Sequence, residues 1–475
     1  MTARPVGGLR LDGAAVAVDF EVSLGNAGPG SRATLDSAFT PPGVALQGLP
    51  LDLGVVRRGT REASAPGFTA VLDAWGFLRA GEIELSLESR VARDAAGFEV
   101  DRAGEWLAGD LHVHATGASN DTDDESYPAD IERVARERGL DFVVLTDHSN
   151  STGSDPSTTE EDPALFNMGP EFPYWERATE LSEPGRFWMV DGNEISPRHP
   201  GLEPTGHVGC IPPSLTDFDL DGAFVDRPMG SVSGAETLAQ ARDRGCFVVL
   251  NHPFAVLPWT SFDWTGFDYD AIEVWNGGLA LGFTELEVQN HEAWRCDLLQ
   301  GRRVTPLGNT DIHRVGRAAP GRIGDPALGY PATSVLATER TWESIVAGLQ
   351  AGRVSIHGGA SRLFLDAYDG DRRQAEDRSA RELRVRGHLD VEAETPAVVR
   401  VTRATDCVDE RASRRTPVQL VEEALLAQEV QPGETFEFVI GIGGEPGVYS
   451  ARMHPDFAAG LLPLHTALSR AIVVE

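Results

Sequence analysis

The stretch from residue 107 to residue 148 decides the fold: it begins Leu107-Ala-Gly-Asp-Leu-His-Val-His114 and ends Leu145-Thr-Asp-His148. A short apolar run leads into His112 and His114, which are separated by one residue. Side chains at positions i and i+2 of an extended strand point to the same side. The two imidazoles therefore leave one strand end together, which offers two nitrogen ligands to one metal ion.

An acidic loop follows the histidine pair at residues 121–125, with the sequence Asp-Thr-Asp-Asp-Glu. Divalent cations readily take up carboxylate oxygens of this kind. Asp121 is our first choice as a ligand, and Asp123 and Asp124 are the alternatives. Further on, Asp147 either orients His148 or bonds to backbone at the strand end.

A succession of helix, glycine, apolar strand and potential ligand recurs between residues 106 and 358. Glycine is expected just past a helix end, as at Gly139 and Gly245. Alternating helices and apolar strands predict a parallel sheet with helices outside, and parallel strand ends converge on one mouth in a (β/α) barrel. The further candidate ligands at such strand ends are His148, Glu194, His207, His252, Asp311 and His313.

Charge and composition exclude several classes of function. The 475 residues include 41 basic and 73 acidic ones, a formal net charge of −32. This charge argues against nucleic-acid and anionic-membrane partners. All the basic residues are arginine, which removes Schiff-base and lysine general-base chemistry.

The cysteines and the N-terminus predict a soluble cytoplasmic protein. Cys210, Cys246, Cys296 and Cys407 form no C-x-x-C pair, so neither a disulfide framework nor a thiolate zinc site is indicated. The N-terminal residues lack the apolar segment of a signal peptide, and no apolar run approaches about 20 residues. The oligomeric state stays open.

Three domains are predicted from the change in pattern along the chain. Residues 1–105 alternate apolar and polar residues, as at 16–22 and 82–89, and form a β-rich accessory domain. Residues 106–358 carry the candidate ligands. Residues 359–475 return to β character and form a second accessory domain.

The middle segment resembles the PHP (polymerase and histidinol phosphatase) superfamily, and more narrowly its CehA/McbA-like metallohydrolase branch. The motifs that carry the resemblance are Gly109-Asp-Leu-His-Val-His, Gly192-Asn-Glu, Gly206-His, Ile272-Glu-Val-Trp-Asn and Gly308-Asn-Thr-Asp-Ile-His. It covers roughly residues 106–358 and not the flanking segments. It implies a distorted (β/α)7 barrel and metal-dependent hydrolysis, mostly of phosphate esters. One departure is the acidic loop, where the family usually has a short Ser-Asp-Gly.

Mixed imidazole and carboxylate ligands suit Zn, Mn or Fe, and about nine candidates imply two or three divalent ions. The resemblance assigns the ligands as follows: His112, His114, Glu194 and Asp311 to the first ion; Glu194, His207 and His252 to the second; His148, His313 and an acidic-loop Asp to the third. Glu194, Asp311 and His252 are the expected catalytic residues. A carboxylate such as Glu194 can bridge two ions, and a hydroxide between them becomes a nucleophile.

Three residues are candidates for substrate binding: Asn276, Arg314 and Arg317. The two arginines either hold a phosphate by bidentate hydrogen bonds or solvate their loop. The insertion at 150–180 is expected to cover the mouth as a lid. The remaining histidines are interpreted as structural or surface residues: His199, His291, His357, His388, His454 and His465.

The leading hypothesis is a hydrolase of small-molecule phosphomonoesters or phosphodiesters. A carboxylic-ester or carbamate hydrolase on the same metals is the alternative. A mouth lined by arginine favours the phosphoesterase. An apolar mouth, built from Trp175, Trp259, Trp264 and Trp275, favours the carboxylic-ester or carbamate hydrolase. A binding module with a decayed site is a third hypothesis, which the full ligand set disfavours.

Overall fold

The structure is a computed structural model of the chain, and between residues 2 and 92 it describes strand backbones alone. From there it describes residues 104–116, 119, 122, 126–148, 180–196, 206–215, 218, 233–255, 260–277, 284–317, 326–369, 372–373, 380–414, 418–455 and 466–475. The chain divides into two compact units. One comprises Met1–Glu99 with Asp390–Ala393, and the other comprises Val100–Leu389 with Glu394–Glu475.

Up to residue 92, strands make up the described part of the first unit. They are β1 (Thr2–Asp12), β2 (Ala15–Leu24), β3 (Ser31–Phe39), β4 (Val44–Gln47), β5 (Leu51–Val56), β6 (Ala63–Ala65), β7 (Thr69–Leu72) and β8 (Ser86–Ala92). One sheet has the order β1-β2-β7-β4, with β6 paired to β2, and the other has the order β5-β3-β8. The predicted strand at 16–22 lies within β2, and the one at 82–89 overlaps β8.

The second unit is mixed α/β and rich in strands. Up to residue 357 its strands are β9 (Glu105–Val113), β10 (Phe142–Leu145), β11 (Trp188–Asp191), β12 (Asn193–Ile195), β13 (His207–Ile211), β14 (Phe247–Asn251), β15 (Ala271–Asn276), β16 (Thr305–Asn309), β17 (Ala332–Ala337) and β18 (Val354–His357). Its described helices are α1 (Pro128–Arg138), α2 (Gly234–Arg244), α3 (Thr284–Leu299), α4 (Trp342–Gln350) and the short α5 (Arg411–Arg414), with a 3-10 helix at Val315–Arg317. The later strands are β19 (Arg362–Asp369), β20 (Arg372–Arg373), β21 (Glu382–His388), β22 (Ala397–Val408), β23 (Gln419–Val430), β24 (Thr435–Gly441), β25 (Gly447–Pro455) and β26 (Ala467–Val474).

Local sequence explains where the helices begin and end. Helix α2 begins with a capping box, in which Ser233 and Glu236 each bond to the other's backbone N–H. Gly139 follows α1 with φ 76° and Gly245 follows α2 with φ 86°, a conformation that glycine adopts without steric cost. These glycines end the helices just before β10 and β14. In the described part of the chain, no helix has the length and apolar character needed to cross a membrane.

Two sheets carry the candidate site: β11-β10-β9-β17-β18-β26-β25-β22-β23 and β12-β13-β14-β15-β16. Strands β9, β10 and β11 are parallel neighbours, and so are β14, β15 and β16. Strand β13 is antiparallel to β12 and to β14, so the expectation of a uniformly parallel sheet is wrong.

Isolated bridges join the two sheets at the site. Val113, at the end of β9, bridges Ile312, which follows β16. His148, which follows β10, bridges Glu194 in β12. Strand ends from both sheets therefore lie side by side where the candidate ligands are. The closed barrel as a whole stays a prediction.

The strands after residue 359 continue the larger sheet. Strand β18 pairs with β26, which is followed by β25, β22 and β23. A separate four-stranded sheet has the order β20-β19-β21-β24. Apart from 390–393, the segments 106–358 and 359–475 thus belong to one compact unit. The three-domain division stays a prediction.

Two glycines of the sequence motifs permit close packing beneath the site. A Cβ on Gly109 would lie 2.2 Å from Cδ2 of Phe142, and a Cβ on Gly308 would lie 2.1 Å from Cγ2 of Ile356. Both neighbours are fully buried. Since protein interiors are close-packed, neither position has room for a side chain.

All four cysteines are paired in the structure, which corrects the prediction that no disulfide framework is present. Cys210 is bonded to Cys246 with a Cα–Cα distance of 5.1 Å, and Cys296 to Cys407 with 5.6 Å. The paired cysteines are 36 and 111 residues apart in the sequence, so no local spacing predicts the two disulfides. The first bond joins β13 to the start of β14, and the second joins α3 to β22.

Candidate metal centre

Eight of the nine predicted ligands meet in one cluster. They are His112, His114, His148, Glu194, His207, His252, Asp311 and His313. They lie on or directly after β9, β10, β12, β14 and β16, and at the start of β13. The ninth, Asp121, lies outside the described residues, and so do its alternatives Asp123 and Asp124.

The position of His207 within its strand differs from the prediction. We expected every ligand at the C-terminal end of a strand, but His207 is the first residue of β13. It is paired with Asn251, the last residue of the antiparallel neighbour β14. Because β13 is reversed, its N-terminal end lies at the same edge as the C-terminal ends of its neighbours. The rings of His207 and His252 are consequently 5.1 Å apart.

The fully buried carboxylate of Glu194 is the centre of the cluster. A carboxylate surrounded by imidazoles can bridge two cations whose other ligands are those imidazoles. Ring nitrogens of five described histidines lie within 4.0 Å of it: His148 at 2.6 Å, His112 and His207 at 3.1 Å, His252 at 3.3 Å and His114 at 4.0 Å.

Asp311 is a second point of convergence. Its Oδ1 lies 3.1 Å from Nε2 of His114 and 3.3 Å from Nε2 of His112. The same oxygen is 3.8 Å from Nδ1 of His313, and Oδ2 is 3.9 Å from Nε2 of His252. Asp311, which follows β16, and Glu194 in β12 therefore lie close to several of the same rings.

Four groups of three residues within the cluster bring their ligand atoms within 4.8 Å of one another, among the described residues. The groups are His112, His114 and Asp311; His112, Glu194 and His252; His148, Glu194 and His207; and His114, His148 and His313. The resemblance assigned His207 and His252 to one ion, whereas these groups place them with different partners. The assignment of ligands to separate ions stays a prediction.

Several buried atoms of the cluster lack the partners that a cation would supply. Nε2 of His112, Nδ1 of His207 and Nδ1 of His252 have no hydrogen bond among the described residues, and Oε2 of Glu194 has none of normal geometry. Buried polar atoms in proteins are nearly always satisfied. The chemistry of these donors, imidazole nitrogen and carboxylate oxygen, fits Zn, Mn or Fe.

Electrostatics in the cluster also favours bound positive charge. Burial would raise the pKa of Glu194, but His207 and His112 hold it well below its usual value. Burial likewise opposes ionisation of Asp311, yet His112 and His114 lower its pKa. Burial, together with His313, lowers the pKa of His114 to about 3. The low pKa values of the two carboxyls and of His114 match the protonation states that metal binding requires. Against the effect of burial, Asp311 and Glu273 raise the pKa of His112, and Glu194 raises that of His252, so a metal ion at these two rings would displace a proton.

Two of the candidate ligands have a left-handed backbone. His252 has φ 27° and Asp311 has φ 53°. Such conformations cost non-glycine residues on the order of 1–3 kcal/mol and concentrate at functional sites. Hydrogen bonds hold both: His252 N donates to Oε2 of Glu273 at 3.0 Å, and Asp311 N donates to the carbonyl of His112 at 2.9 Å.

Behind the cluster, the fully buried Glu273 connects four residues that lie in or directly after strands β9, β14, β15 and β16. Its Oε1 lies 2.8 Å from Nδ1 of His112 and accepts from Nδ2 of Asn309 at 2.9 Å. Its Oε2 accepts from Nδ2 of Asn276 at 2.9 Å, besides the N–H of His252. Carboxylates behind a ligating histidine orient the ring and set its tautomer.

Asp147 lies behind the other side of the cluster. Its Oδ1 accepts from the backbone N–H of Ala115 at 2.7 Å and from Oγ of Ser119 at 2.8 Å. Ser119 Oγ is in turn 3.2 Å from Nδ1 of His114 and accepts from the N–H of His148 at 3.2 Å. Of the two roles predicted for Asp147, the backbone bond is observed, and its link to the histidines runs through Ser119.

The predicted substrate-binding residues are only partly described. Asn276 is buried, and its Nδ2 lies 3.4 Å from Oδ2 of Asp311, so its amide supports the carboxylates in this structure. Arg314 follows His313 and is exposed. The side chain of Arg317 and residues 150–179 of the predicted lid lie outside the described residues. Substrate roles for all of these stay predictions.

A comparison with solved structures finds a similar chain. It is the crystal structure of a two-domain protein from Bacteroides vulgatus that contains a predicted PHP-like metal-dependent phosphoesterase. The identity is 17%, the alignment covers 77% of this chain and 95% of the other, and the TM-score is 0.37. A TM-score this low supports no argument about fold or function. No protein-family model and no curated protein matches the chain.

A buried serine–histidine pair lies elsewhere in the second unit. Ser334 Oγ is 2.8 Å from Nε2 of His357, whose Nδ1 is 2.8 Å from Nη1 of Arg362. Nδ1 also lies 3.2 Å from the carbonyl oxygen of Gly359. Both ring nitrogens of the buried His357 are thus in hydrogen-bonding contact outside the metal cluster, and the structural role of this histidine stays a prediction.

Glu273 was recognised only as part of the motif Ile272-Glu-Val-Trp-Asn and Asn276 only as a substrate-binding candidate, and no role was predicted for Asn251 or Asn309. Asn251 Nδ2 donates to Oε1 of Glu194 at 2.9 Å. The available signal was a polar residue inside or ending an apolar strand, as in Ile272-Glu-Val-Trp-Asn. Such a residue must be hydrogen-bonded when it is buried.

Proposed function

We propose that this chain is a metal-dependent hydrolase of small-molecule phosphomonoesters or phosphodiesters, with a PHP-type distorted (β/α)7 barrel and two or three divalent ions. The observation that carries the proposal is the buried Glu194 carboxylate with five described imidazoles within 4.0 Å. The motif resemblance supports membership of the CehA/McbA-like branch, and the bridges between the two sheets support the barrel.

The residues of the cluster have distinct tasks in this proposal. Bound divalent ions would polarise the ester and lower the pKa of a water molecule. Glu194 and Asp311 supply the negative charge that holds cations, and the imidazoles supply neutral ligands. Glu273 fixes His112, and through its bond to the His252 N–H it also fixes the backbone of that ligand. The expected catalytic residues therefore start from a preorganised site.

The surroundings of the cluster favour phosphate over an apolar ester. Trp264 and Trp275, two of the tryptophans in the alternative hypothesis, are each 2% exposed and pack in the core. The other two, Trp175 and Trp259, lie outside the described residues. Arg314 is exposed beside His313, where a guanidinium can hold a phosphate oxygen. Carboxylic-ester and carbamate hydrolysis remains the second substrate class to test.

Partners and compartment follow from charge and cysteine pairing. With a net charge of −32 we propose no nucleic-acid or membrane partner. The sequence predicts a cytoplasmic protein, but the disulfides Cys210–Cys246 and Cys296–Cys407 weigh against this. Disulfides persist mainly in oxidising compartments.

A substrate screen with metal analysis tests the proposal. Purified protein would be assayed on p-nitrophenyl phosphate, bis-p-nitrophenyl phosphate and p-nitrophenyl acetate, with Zn, Mn or Fe added. We expect metal-dependent release of p-nitrophenol from a phosphate ester, lost in His207→Ala and retained in His388→Ala. Acetate hydrolysis alone would favour the second substrate class. Bound metal without hydrolysis of any ester would contradict the proposal.

A further inference from the structure

Three arginines converge on the side of the second unit where α3 packs against β22 and β25. Arg400 in β22 and Arg452 in β25 are directly opposite each other in the antiparallel register. Arg295 lies in α3, which contacts both strands, and it is close enough to Arg452 to act on its charge. Its Nη1 makes a 2.5 Å contact with Oε2 of Glu422. We call Arg295, Arg400 and Arg452 the arginine cluster.

The arginine cluster has hydrogen-bonding capacity that the protein does not use. The side chain of Arg295 is 3% exposed, yet its Nε and Nη2 have no hydrogen-bond partner among the described residues. Nε of Arg400 is also buried without a described partner. Buried donors in native proteins are nearly always satisfied, and a charged donor is the most costly to leave unsatisfied. A partner that is not part of the described chain fits here.

Charge in the cluster is also incompletely compensated. Like charges directly opposite each other on neighbouring strands are destabilising. Within the described part of the chain, the acidic groups shown to act on Arg295 and Arg452 are Glu292 and Glu422, two against three arginines. Burial lowers the pKa of Arg452, and neighbouring Arg400 lowers it further. This grouping of positive charge stands out in a chain with net charge −32.

We propose that Arg295, Arg400 and Arg452 bind a small tetrahedral oxyanion of the phosphate or sulfate type between α3 and the β22–β25 strand pair. A guanidinium presents several N–H donors in a fixed fork that matches such an anion. An anion here would satisfy the unpaired nitrogens of Arg295 and Arg400. It would also screen the repulsion between Arg400 and Arg452. This site involves none of the metal-centre residues and does not rest on the proposed hydrolase function.

Thermal unfolding in sulfate tests the site on the full chain. The unfolding midpoint would be followed in sodium sulfate and in sodium chloride of equal ionic strength, for wild type, Arg400→Gln and Arg452→Gln. Arg186→Gln is the matched control, because this arginine is 77% exposed and outside the cluster. It loses the same charge and reports the general stabilisation by sulfate. We expect wild type and Arg186→Gln to gain equally from sulfate and both cluster variants to gain less.

Without sulfate, Arg400→Gln and Arg452→Gln should unfold at or above the wild-type temperature, because each removes one of two like charges that face each other on neighbouring strands. The apparent dissociation constant for sulfate should rise about tenfold or more in either variant, the expected effect of losing a hydrogen bond between charged groups. Glu292→Gln should lower the apparent dissociation constant for sulfate, since this substitution removes a negative charge that competes with the anion for the arginines. Equal sulfate dependence in wild type and the cluster variants would overturn the proposal.

Crystallography with selenate separates this site from anion binding at the metal centre. Selenate is a tetrahedral oxyanion that is located by its anomalous scattering. We expect a peak among Arg295, Arg400 and Arg452 in wild-type crystals and no peak there in Arg400→Gln. A peak at the Glu194 cluster alone would show that the oxyanion belongs to the metal centre and would overturn the proposal.

Discussion

Nδ1 of His112 lies 2.8 Å from Oε1 of Glu273, and neither side chain is more than 1% exposed. A carboxylate in this position keeps the hydrogen of a neutral imidazole on Nδ1, so that Nε2 is free to bind a metal ion. The other oxygen of Glu273 accepts the N–H of His252 at 3.0 Å. One carboxylate behind the cluster therefore positions two candidate ligands from different strands.

Replacing Glu273 by glutamine should weaken metal binding. Glu273→Gln keeps the shape but replaces one acceptor by a donor, so the contacts to His112 and to the His252 N–H cannot both persist. Loss of such a supporting partner typically costs about 10–100-fold in metal affinity. Competition with a chromophoric chelator measures the change on folded protein.

Asp366→Asn is the control for this variant. Asp366 is also a buried carboxylate, but it is paired with Arg386 at 2.6 Å in β19 and β21, outside the cluster. Its loss should lower the free energy of unfolding without changing metal affinity. Equal metal affinity in Glu273→Gln and wild type would show that Glu273 is a packing residue only.

Glu194→Gln should lose metal and turnover together. The substitution removes the charge at the centre of the cluster, where His207 and His112 keep the pKa of this carboxyl well below its usual value against the effect of burial. Asp191→Asn is a matched control three residues away, because burial, reinforced by Asp147, raises the pKa of Asp191 well above its usual value and so disfavours a charge there. The metal content and the rate of ester hydrolysis would be measured for both variants. Full metal content and wild-type hydrolysis in Glu194→Gln would refute the bridging role.

His313→Ala should have a smaller effect on metal content. Among the described groups, His313 belongs to only one, with His114 and His148. We therefore expect the variant to lose at most one ion per chain, by elemental analysis of the purified protein. A loss of all bound metal would mean that the three-ion assignment is wrong.

Gly308→Ala should destabilise the second unit. The new Cβ would lie 2.1 Å from Cγ2 of Ile356, and overpacking of a buried site costs about 1–3 kcal/mol. Gly441→Ala in β24 is the control, since a Cβ there meets nothing within 4 Å. It should be neutral or slightly stabilising in urea unfolding. Equal free energies of unfolding for Gly308→Ala and Gly441→Ala would contradict this prediction, because the strands around Gly308 would then make room for the methyl group without cost.

The free energy of unfolding should fall in mild acid, partly because of His357. Burial, reinforced by Arg362, lowers the pKa of His357 well below 6.5 in the folded protein. Below pH 6.5 the unfolded chain binds a proton that the folded chain does not, so stability is complete above this pH and falls by about 1.4 kcal/mol per pH unit below it. His357→Gln should show a shallower decline in urea titrations between about pH 5 and about pH 7.5. Identical slopes for the two proteins would contradict this assignment.

Most of the candidate cluster could be predicted from the sequence because its ligands have local signatures. His112 and His114 leave one strand end by simple alternation, and His148 and His252 each follow an apolar strand that comes after a helix and a glycine. His207 shows the limit of this reasoning. Its strand looks like the others in sequence, and its reversed direction shows only in its antiparallel pairing with β12 and β14.

The residues behind the ligands were harder to foresee. Glu273 is recognisable as a carboxylate inside an apolar strand, but its contact with His112 joins residues 161 positions apart. The disulfide between Cys296 and Cys407 and the arginine cluster likewise bring together residues that no local pattern connects.

The sequence by itself determined the strand and helix periodicities, the glycines that end helices, and the kinds of atoms that could bind a metal ion. These are properties of neighbouring residues, set by backbone geometry and by the chemistry of each side chain. Only the tertiary structure decided which strands run antiparallel to their neighbours, which cysteines pair, and which carboxylate lies behind which histidine. Such contacts depend on the packing of the whole unit, because many pairings of distant strands satisfy the same local pattern and their packed cores differ in free energy.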